Sequence, residues 1–447
     1  MCGIIASPEK EVVQKGLDML LPRGRDNQHT KETEHFVFGH ALHAIVGHVP
    51  QPITHQGTLV FNGEIYNWKE ITAQQGISAQ NDADLLCQLL DKESVSLVLE
   101  RLDGVYAFVY QKEEMIIATR DLLGVKPLYF TREGSFASEN KALDFKGEEV
   151  DPRSIIYFDL QKRELFTQEK NFYTLQVKEQ EGEQASEVFA ELFVKAIQKR
   201  IPDQHIKVGV LLSGGVDSTM IAKVCKELEC EVTCYTATLD NPEGDDPHDL
   251  LASQQVAKRY GFDHKIITAT KEEIPQLAKE VSSQIESTDA VKVAVGIPFY
   301  LCAKEAAKDG CKVLFSGLGA EEIMAGYQRH KQSTDINEEC LSGLLQLHER
   351  DLYRDDILTI RQGVELRLPF LDRELIEFSL TIPSDLKITP NHQKYLLRLA
   401  AVRIGIEETD AFRPKKAAQY GSQFDRALKK VAKAKGFQTR KEFLESL

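Results

Sequence analysis

Val210-Leu211-Leu212-Ser213-Gly214-Gly215-Val216-Asp217-Ser218-Thr219 is the stretch on which the fold of this chain turns. The apolar run Lys207 to Leu212 reads as a buried strand, and Thr219 to Leu228 reads as a helix. Between them, two adjacent glycines let backbone N–H groups approach an anion closely, and the amino end of the helix favours its charge. Asp217 can hold Mg2+, while Ser213 and Ser218 add hydroxyl donors. The Lys of the phosphoryl-transfer P-loop is missing, so the chemistry differs from that of the common nucleoside triphosphatases.

Working outward, Glu231 to Leu239 reads as a second strand, Asp249 to Tyr260 as a long helix, and His264 to Thr268 as a third strand. A short strand follows at Lys312 to Phe315, and the rest is mainly helical. Strands alternating with helices predict a parallel sheet covered on both faces. A nucleotide would lie at the carboxyl ends of its strands, near Leu212 and Thr238. Toward the amino terminus, the polar stretch Lys178 to Ser186 marks a linker between domains spanning 1–178 and 187–447. Before it the rhythm is that of short strands: Phe36 to Val46, Thr58 to Tyr66, Leu102 to Tyr110, Met115 to Thr119 and Pro127 to Phe130. Helices near Glu11 to Leu21 and from Asn81 to Leu90 complete a picture of antiparallel sheets with helices packed on them.

The chain's 447 residues suffice for two cores, and its net charge of -14 argues against a broad nucleic-acid surface. No run of roughly 18 apolar residues predicts a membrane span, and the first residues lack the charged and apolar regions of a secretory signal. The eight cysteines are scattered. Cys225 reads as the buried face of a helix and Cys234 as part of a strand, without the tight pairing of a zinc site. Unpaired thiols fit a reducing cytoplasm.

Cys2 draws attention by its position. With Met1 removed it carries a thiol and a free α-amine, whose ordinary pKa of about 8 suits it to take the thiol proton. Asn62-Gly63-Glu64 follows a strand, where a side-chain amide and a Gly N–H can face a developing oxyanion. Asp82, at a helix start, can grip a substrate ammonium or simply cap the helix. Arg120 to Tyr129 reads as a structural turn.

Together with Arg23-Gly24-Arg25-Asp26, Gly39-His40, Ile45-Val46, Asn81-Asp82-Ala83-Asp84, Leu102-Asp103-Gly104 and Ser138-Glu139-Asn140-Lys141-Ala142-Leu143, these pieces resemble the glutaminase half of the asparagine synthetase family. That resemblance implies an α/β chain whose amino-terminal domain is an Ntn-hydrolase of αββα layers. It implies Cys2 as nucleophile, Asn62 and Gly63 as oxyanion hole, and Glu64 and Asp82 as the grip on glutamine's amino end. The family usually carries an Arg two residues after Gly39-His40; Leu42 stands there. Losing a charge-assisted pair costs glutamine binding roughly 1.5–3 kcal/mol unless Arg23 or Arg25 substitutes.

The Ser-Gly-Gly-Val-Asp-Ser loop resembles the pyrophosphate loop of enzymes that transfer AMP and release pyrophosphate. Ser316-Gly317-Leu318-Gly319-Ala320-Glu321-Glu322, Glu365-Leu366-Arg367-Leu368-Pro369-Phe370-Leu371-Asp372, Lys394 to Arg398 and Arg413-Pro414-Lys415-Lys416 resemble the synthetase half of the same family. They imply a doubly wound ATP-pyrophosphatase domain. By transfer, Leu212, Ser213, Gly214, Gly215, Asp217, Ser218, Thr238, Ser316 and Gly317 meet ATP. Asp217 and Glu321 hold Mg2+, Lys415 stabilises departing phosphate charge, and Glu365 acts at the reacting centre or forms a buried ion pair with Arg367. Leu318 replaces a Glu common in bacterial members, and Glu321 an Asp. With Tyr327 to His330 and Lys416 to Ser422, these differences are closer to the divergent branch of asparagine synthetase domain-containing proteins.

The expected reaction is ATP- and glutamine-dependent amidation of aspartate through β-aspartyl-AMP, with ammonia shielded from water and dimerisation a family expectation. Leucine at 318 cannot exchange a proton, so Glu322 or Glu365 takes that role, or the acceptor differs. The alternatives are amidation or amide closure of another carboxylate, and a non-catalytic interaction protein of this fold.

Overall fold

The computed structural model describes residues 2–45, 47–202, 206–240, 248–414 and 423–447. The chain forms two units: Met1–Phe172 together with Leu347–Asp356, and Tyr173–Gln346 together with Ile357–Leu447. A helix, Gly182–Lys199, begins inside the stretch read as a linker. Its polar start conceals a 3–4 residue period of buried Ala185, Phe189, Phe193, Ala196 and Ile197. The transfer of Leu347–Asp356 to the first unit had no signal in the linear pattern.

The first unit holds two antiparallel sheets. One orders β10 (Glu148–Glu149), β8 (Tyr129–Phe130), β9 (Phe136–Ala137), β1 (Gly3–Ser7), β3 (Val37–Leu42) and β2 (Asn27–Glu32). The other orders β12 (Glu164–Glu169), β11 (Ser154–Asp159), β7 (Met115–Arg120), β6 (Gly104–Lys112), β5 (Thr58–Ile65) and β4 (Ile53–Thr54). Side chains alternate between faces along a strand, and that period sorts the apolar residues into three layers. Ile4, Ala6, Phe36, Phe38, Val60, Ala107, Val109 and Phe158 meet between the sheets. Ile5, Val37 and Ala41 point the other way, onto Val13, Leu17 and Leu20 of the helix Lys10–Leu20. Leu59, Phe61 and Phe108 face outward onto Leu85, Leu86 and Leu89 of the helix Asp82–Lys92. The result is αββα layering, as the resemblance implied.

The same parity carries the site. Cys2 continues the inward face of Ile4, His40 and Leu42 continue that of Phe38, and Asn62 continues that of Val60.

The second unit is built on five parallel strands ordered β15 (Asp263–Ala269), β14 (Val232–Leu239), β13 (Val208–Leu211), β16 (Val313–Phe315) and β17 (Glu365–Arg367). The chain leaves β13 in one direction and returns to its other side at β16. The carboxyl ends of β13 and β16 therefore flank the point where the winding reverses, which is where open α/β sheets bind ligands. The helix after β13 begins at Val216, three residues earlier than its apolar pattern suggests, because Gly215 already takes the extended backbone of a cap.

Candidate active sites

In the first unit Cys2 is buried and donates its backbone N–H to Asn62 Oδ1 at 2.9 Å. Because Oδ1 is the acceptor, the Asn62 side chain is oriented, and its Nδ2 is left buried without a partner among the described residues. A buried, unpaired amide N–H beside a thiol is poised for an oxyanion. Gly63 permits the next residue of β5 to lie tightly on β6: a Cβ there would be 2.2 Å from the Val105 carbonyl oxygen. Asp82 is the first residue of its helix and not its cap. Asn81 caps by accepting from the Asp84 N–H at 2.9 Å, while Asp82 Oδ2 accepts from Ile65 N–H at 3.0 Å. That bond ties Asp82 to β5 at the residue after Glu64.

Arg23 is fully buried and committed. Its Nε donates to the Cys2 carbonyl at 3.2 Å, Nη1 to Glu139 at 3.2 Å and Nη2 to Asp356 at 2.7 Å. It holds the Cys2 backbone and is not available to replace the arginine missing at Leu42. Arg25 is exposed, on a backbone bound to β3 through Asp26 N–H donating to the Leu42 carbonyl at 3.0 Å. Leu42 is buried and pairs in register with Asn27. His40 is buried, and burial lowers its pKa to about 3, so the ring between the sheets is neutral. The Arg120–Tyr129 turn is structural: Asp121 accepts from the N–H groups of Tyr106, Val125 and Lys126.

In the second unit the loop after β13 bends through Gly214, whose φ is +69°. A Cβ on it would be 2.4 Å from the Ala252 carbonyl carbon. Ser213 and Ser218 hydroxyls lie 3.3 Å apart, and Ser218 and Thr219 donate to the Gly215 carbonyl. No side chain caps the helix at Gly215, which leaves its first N–H groups to a ligand. Leu212 is buried, and its carbonyl accepts from Thr236 Oγ1 at 2.5 Å. Two strand positions on, the buried Thr238 hydroxyl has no partner among the described residues. The loop after β16 closes the cradle. Ser316 N–H donates to the Arg367 carbonyl, and a Cβ on Gly317 would be 3.1 Å from Asp217 Cβ.

Between the two loops stands Lys394, which in the sequence is only one member of a late basic segment. Its buried ammonium is 2.8 Å from Asp217 Oδ2 and 2.8 Å from Glu321 Oε1. Its backbone is left-handed at φ 54°, rare for a residue with a side chain. A Cβ on Gly326 would be 2.2 Å from Lys394 Cε, so that glycine makes room for the lysine stem. The donor set fits Mg2+. Two carboxylates already converge on one positive charge, and Mg2+ is held by one or two carboxylates with phosphate and water completing the shell. The described residues contain no group of three or more candidate metal ligands.

A family model described as asparagine synthase matches residues 188–336 and 331–445, and one described as glutamine amidotransferase domain matches residues 1–184. The chain belongs to the asparagine synthetase family. A Methanocaldococcus jannaschii protein named among the glutamine-hydrolysing asparagine synthetases is 31% identical, covering 100% of this chain and 98% of its own. The Gallus gallus asparagine synthetase is 30% identical over 76% of this chain and 67% of its own. Among solved structures, the glutamine phosphoribosylpyrophosphate amidotransferase of B. subtilis is similar at TM-score 0.34 and 14% identity, covering 60% of this chain and 65% of its own.

In this asparagine synthetase family member Leu318 departs from the pattern its motif resembles, and Glu322 and Glu365 are the acids the sequence offered in its stead. Leu318 is half-buried in the turn after Gly317. Glu322 is fully buried, its Cγ 3.3 Å from where a Cβ of Gly343 would stand, and so is turned onto the helix Ile336–Leu345. Glu365 is buried in β17 and paired with Arg367 at 3.2 Å. The ion-pair reading of Glu365 is the one that its 3.2 Å approach to Arg367 supports. Lys415, with Lys416 to Ser422, lies outside the described residues, as do Met1 and Val46. No helix among the described residues is long and apolar enough to cross a membrane.

Proposed function

We propose that the first unit hydrolyses glutamine at Cys2 and that the second uses ATP to activate the aspartate β-carboxylate for amidation. The observation that carries the reading is the Cys2–Asn62 pair, in which the amide is anchored through Oδ1 and its Nδ2 is left for an oxyanion. The Cys2 sulfur attacks the glutamine amide carbon, its proton passing to the α-amine that removal of Met1 would free. The tetrahedral oxyanion meets Asn62 Nδ2 and the Gly63 N–H. Collapse expels ammonia, and water releases glutamate from the thioester. Glu64 and Asp82 hold the glutamine ammonium.

In the second unit an aspartate β-carboxylate oxygen attacks the α-phosphorus of ATP, and pyrophosphate leaves. Ammonia then attacks the acyl carbon and AMP leaves with the bonding pair. The Ser213–Ser218 loop and the uncapped helix end bind the departing phosphates, and Thr238 hydrogen-bonds the nucleotide. Mg2+, held by Asp217 and Glu321, would neutralise phosphate charge. Lys394 keeps those carboxylates together and compensated, and Lys415 is proposed to meet the same departing charge.

A second reading changes only the acceptor. With Leu318 at the turn after β16 and Glu365 paired with Arg367, a carboxylate other than aspartate also fits the same machinery. The test incubates full-length protein with Mg-ATP and aspartate, with ammonium in one tube and glutamine in another, measuring pyrophosphate and asparagine together. Asparagine in both supports the first reading. Pyrophosphate only with another acid supports the second, and Cys2→Ala should abolish glutamine use while sparing ammonium use.

A further inference from the structure

Arg23 holds the carbonyl of Cys2, and one of the two carboxylates that hold Arg23 comes from far along the chain. Asp356 lies 333 positions away, in the segment Leu347–Asp356 that packs with the first unit. Its Oδ2 accepts from Arg23 Nη2 at 2.7 Å, and its Oδ1 is 3.9 Å from the ammonium of Lys126. Both cations are fully buried, and Lys126 Nζ has no hydrogen-bond partner among the described residues. Asp356 therefore balances two charges that water cannot reach.

The segment is itself firmly seated. His348 Nδ1 is 3.1 Å from Glu149 Oε1, which also accepts from Arg120 at 2.7 Å. Tyr353 meets the edge of Tyr129 at 5.6 Å between ring centres. Arg354 bridges Asp351 and Asp355 at 2.8 Å and 2.6 Å. Its first turn, His348–Leu352, is π-helical, a conformation frequent where function constrains a helix. Such a braced segment fixes where the Asp356 carboxylate stands, and hence the plane of the Arg23 guanidinium. From that plane Nε reaches the Cys2 carbonyl at 3.2 Å while Asn62 takes the Cys2 N–H at 2.9 Å.

We propose that Asp356 is a positioning residue for amide hydrolysis, acting through Arg23 to hold Cys2 in register with Asn62. The proposal rests on Cys2 being the nucleophile. It makes the first unit's chemistry depend on a piece of chain whose two ends, at Gln346 and Ile357, are continuous with the second unit. A shift of one ångström at a reacting group costs on the order of 100-fold in rate, so a modest rotation of Arg23 is enough to silence hydrolysis without disturbing the fold.

The test uses full-length Asp356→Asn, which keeps shape and removes charge. Glutamine hydrolysis should lose at least about tenfold in kcat with KM little changed, since the substrate grip is elsewhere. Alkylation of Cys2 by iodoacetamide should slow in parallel across pH, while ammonium-dependent pyrophosphate release is retained. Wild-type hydrolysis and alkylation in a protein with a lowered melting temperature would overturn the proposal and leave Asp356 a structural charge. Arg23→Lys is the second variant, because it keeps the cation near both carboxylates but lacks the Nε that reaches Cys2. Should Asp356→Asn not fold, the same loss in Arg23→Lys supports the proposal and unchanged hydrolysis overturns it. Cys2→Ala separates the two levels. Glutamine use that survives it removes the nucleophile assignment, whereas glutamine use lost there but intact in Asp356→Asn removes only the role of Asp356.

Discussion

Replacing Gly326 by Ala puts a methyl carbon 2.2 Å from Lys394 Cε, 2.9 Å from Glu321 Cγ and 3.1 Å from Glu321 Cα. Carbons in contact settle at roughly 3.5–4.0 Å, so the lysine stem must retreat by about 1 Å or more. Its ammonium, now 2.8 Å from both Asp217 and Glu321, then loses at least one of them. A hydrogen bond to a charged group contributes about 1.5–3 kcal/mol, and a buried carboxylate left short of its partner costs comparably. Gly326 is not in the left-handed region, so alanine adds no backbone strain, and stiffening the unfolded chain gives back about 0.4–1 kcal/mol. The net expectation is a loss of roughly 1–2 kcal/mol. Urea unfolding measures it directly. ATP–pyrophosphate exchange should show the KM for Mg-ATP rising about tenfold if a loss near 1.4 kcal/mol falls on nucleotide binding, with glutamine hydrolysis unaffected. On a Lys394→Ala background the same alanine should cost clearly less, because the nearest atom it displaces is gone and only the contacts with Glu321 at 2.9 Å and 3.1 Å remain. A Gly326→Ala protein slightly more stable than wild type, with unchanged KM, would refute the lysine's role as the tie between the two acids.

Four further outcomes are expected. Asn62→Ala should lower glutamine-dependent kcat by about 100–1000-fold, the effect of losing one oxyanion donor, and leave ammonium-dependent synthesis intact; equal loss of both would place Asn62 in folding instead. Thr238→Val should raise the KM for ATP by the worth of one neutral hydrogen bond, about 0.5–1.5 kcal/mol, with no loss of stability, since the hydroxyl has no partner among the described residues. Burial pushes the Glu149 carboxyl up, but hydrogen bonding to His348 and the charge of Arg120 outweigh it and hold it at about 2, below the ordinary 4.5. That depressed value contributes about 3 kcal/mol above pH 4.5 and loses it as pH falls toward 2, so Glu149→Gln should flatten the acid limb of an unfolding curve in that window. Arg25→Ala should raise the KM for glutamine about tenfold if Arg25 replaces the arginine absent at Leu42, a shift of about 1.4 kcal/mol; an unchanged KM removes it from the site.

What the sequence made legible is what depends on short periods. Apolar, β-prone runs marked the strands that carry Cys2 and Asn62, and a strand–Gly–Gly–helix junction marked the turn after β13. What escaped depends on contacts with no period at all. The Lys394–Asp217 pair spans 177 positions and the Arg23–Asp356 pair 333. Asp217 reads in sequence as a Mg2+ ligand and Arg23 as a candidate for the glutamine carboxylate, but nothing in the linear pattern points to the partners the fold gives them. The helix Gly182–Lys199 was missed for a different reason: Gln180 to Glu183 is polar enough to read as linker, and the apolar face appears only from Ala185 onward.

The acid at the reacting centre is the remaining question, and the structure narrows it by showing what Glu365 already does. Arg200 donates to Asp372 at 2.7 Å, its carbonyl accepts from Arg367, and Arg367 pairs with Glu365 at 3.2 Å. This buried chain ties the last strand of the sheet to the helix Gly182–Lys199. Withdrawing Glu365 to serve a substrate would leave Arg367 short of its countercharge at a cost of about 3–5 kcal/mol, so its commitment is structural first. Leu318 stands half-buried in the turn after β16, an apolar side chain where the pattern its motif resembles has an acid. An acceptor whose ammonium had to sit against Leu318 would lose its hydration without gaining a partner. An acid screen comparing aspartate with a dicarboxylate of the same length lacking the amine therefore reads the site directly. Preference for the amine-free acid would locate acceptor selection at Leu318, and preference for aspartate would put the amine's partner on another element of the second unit.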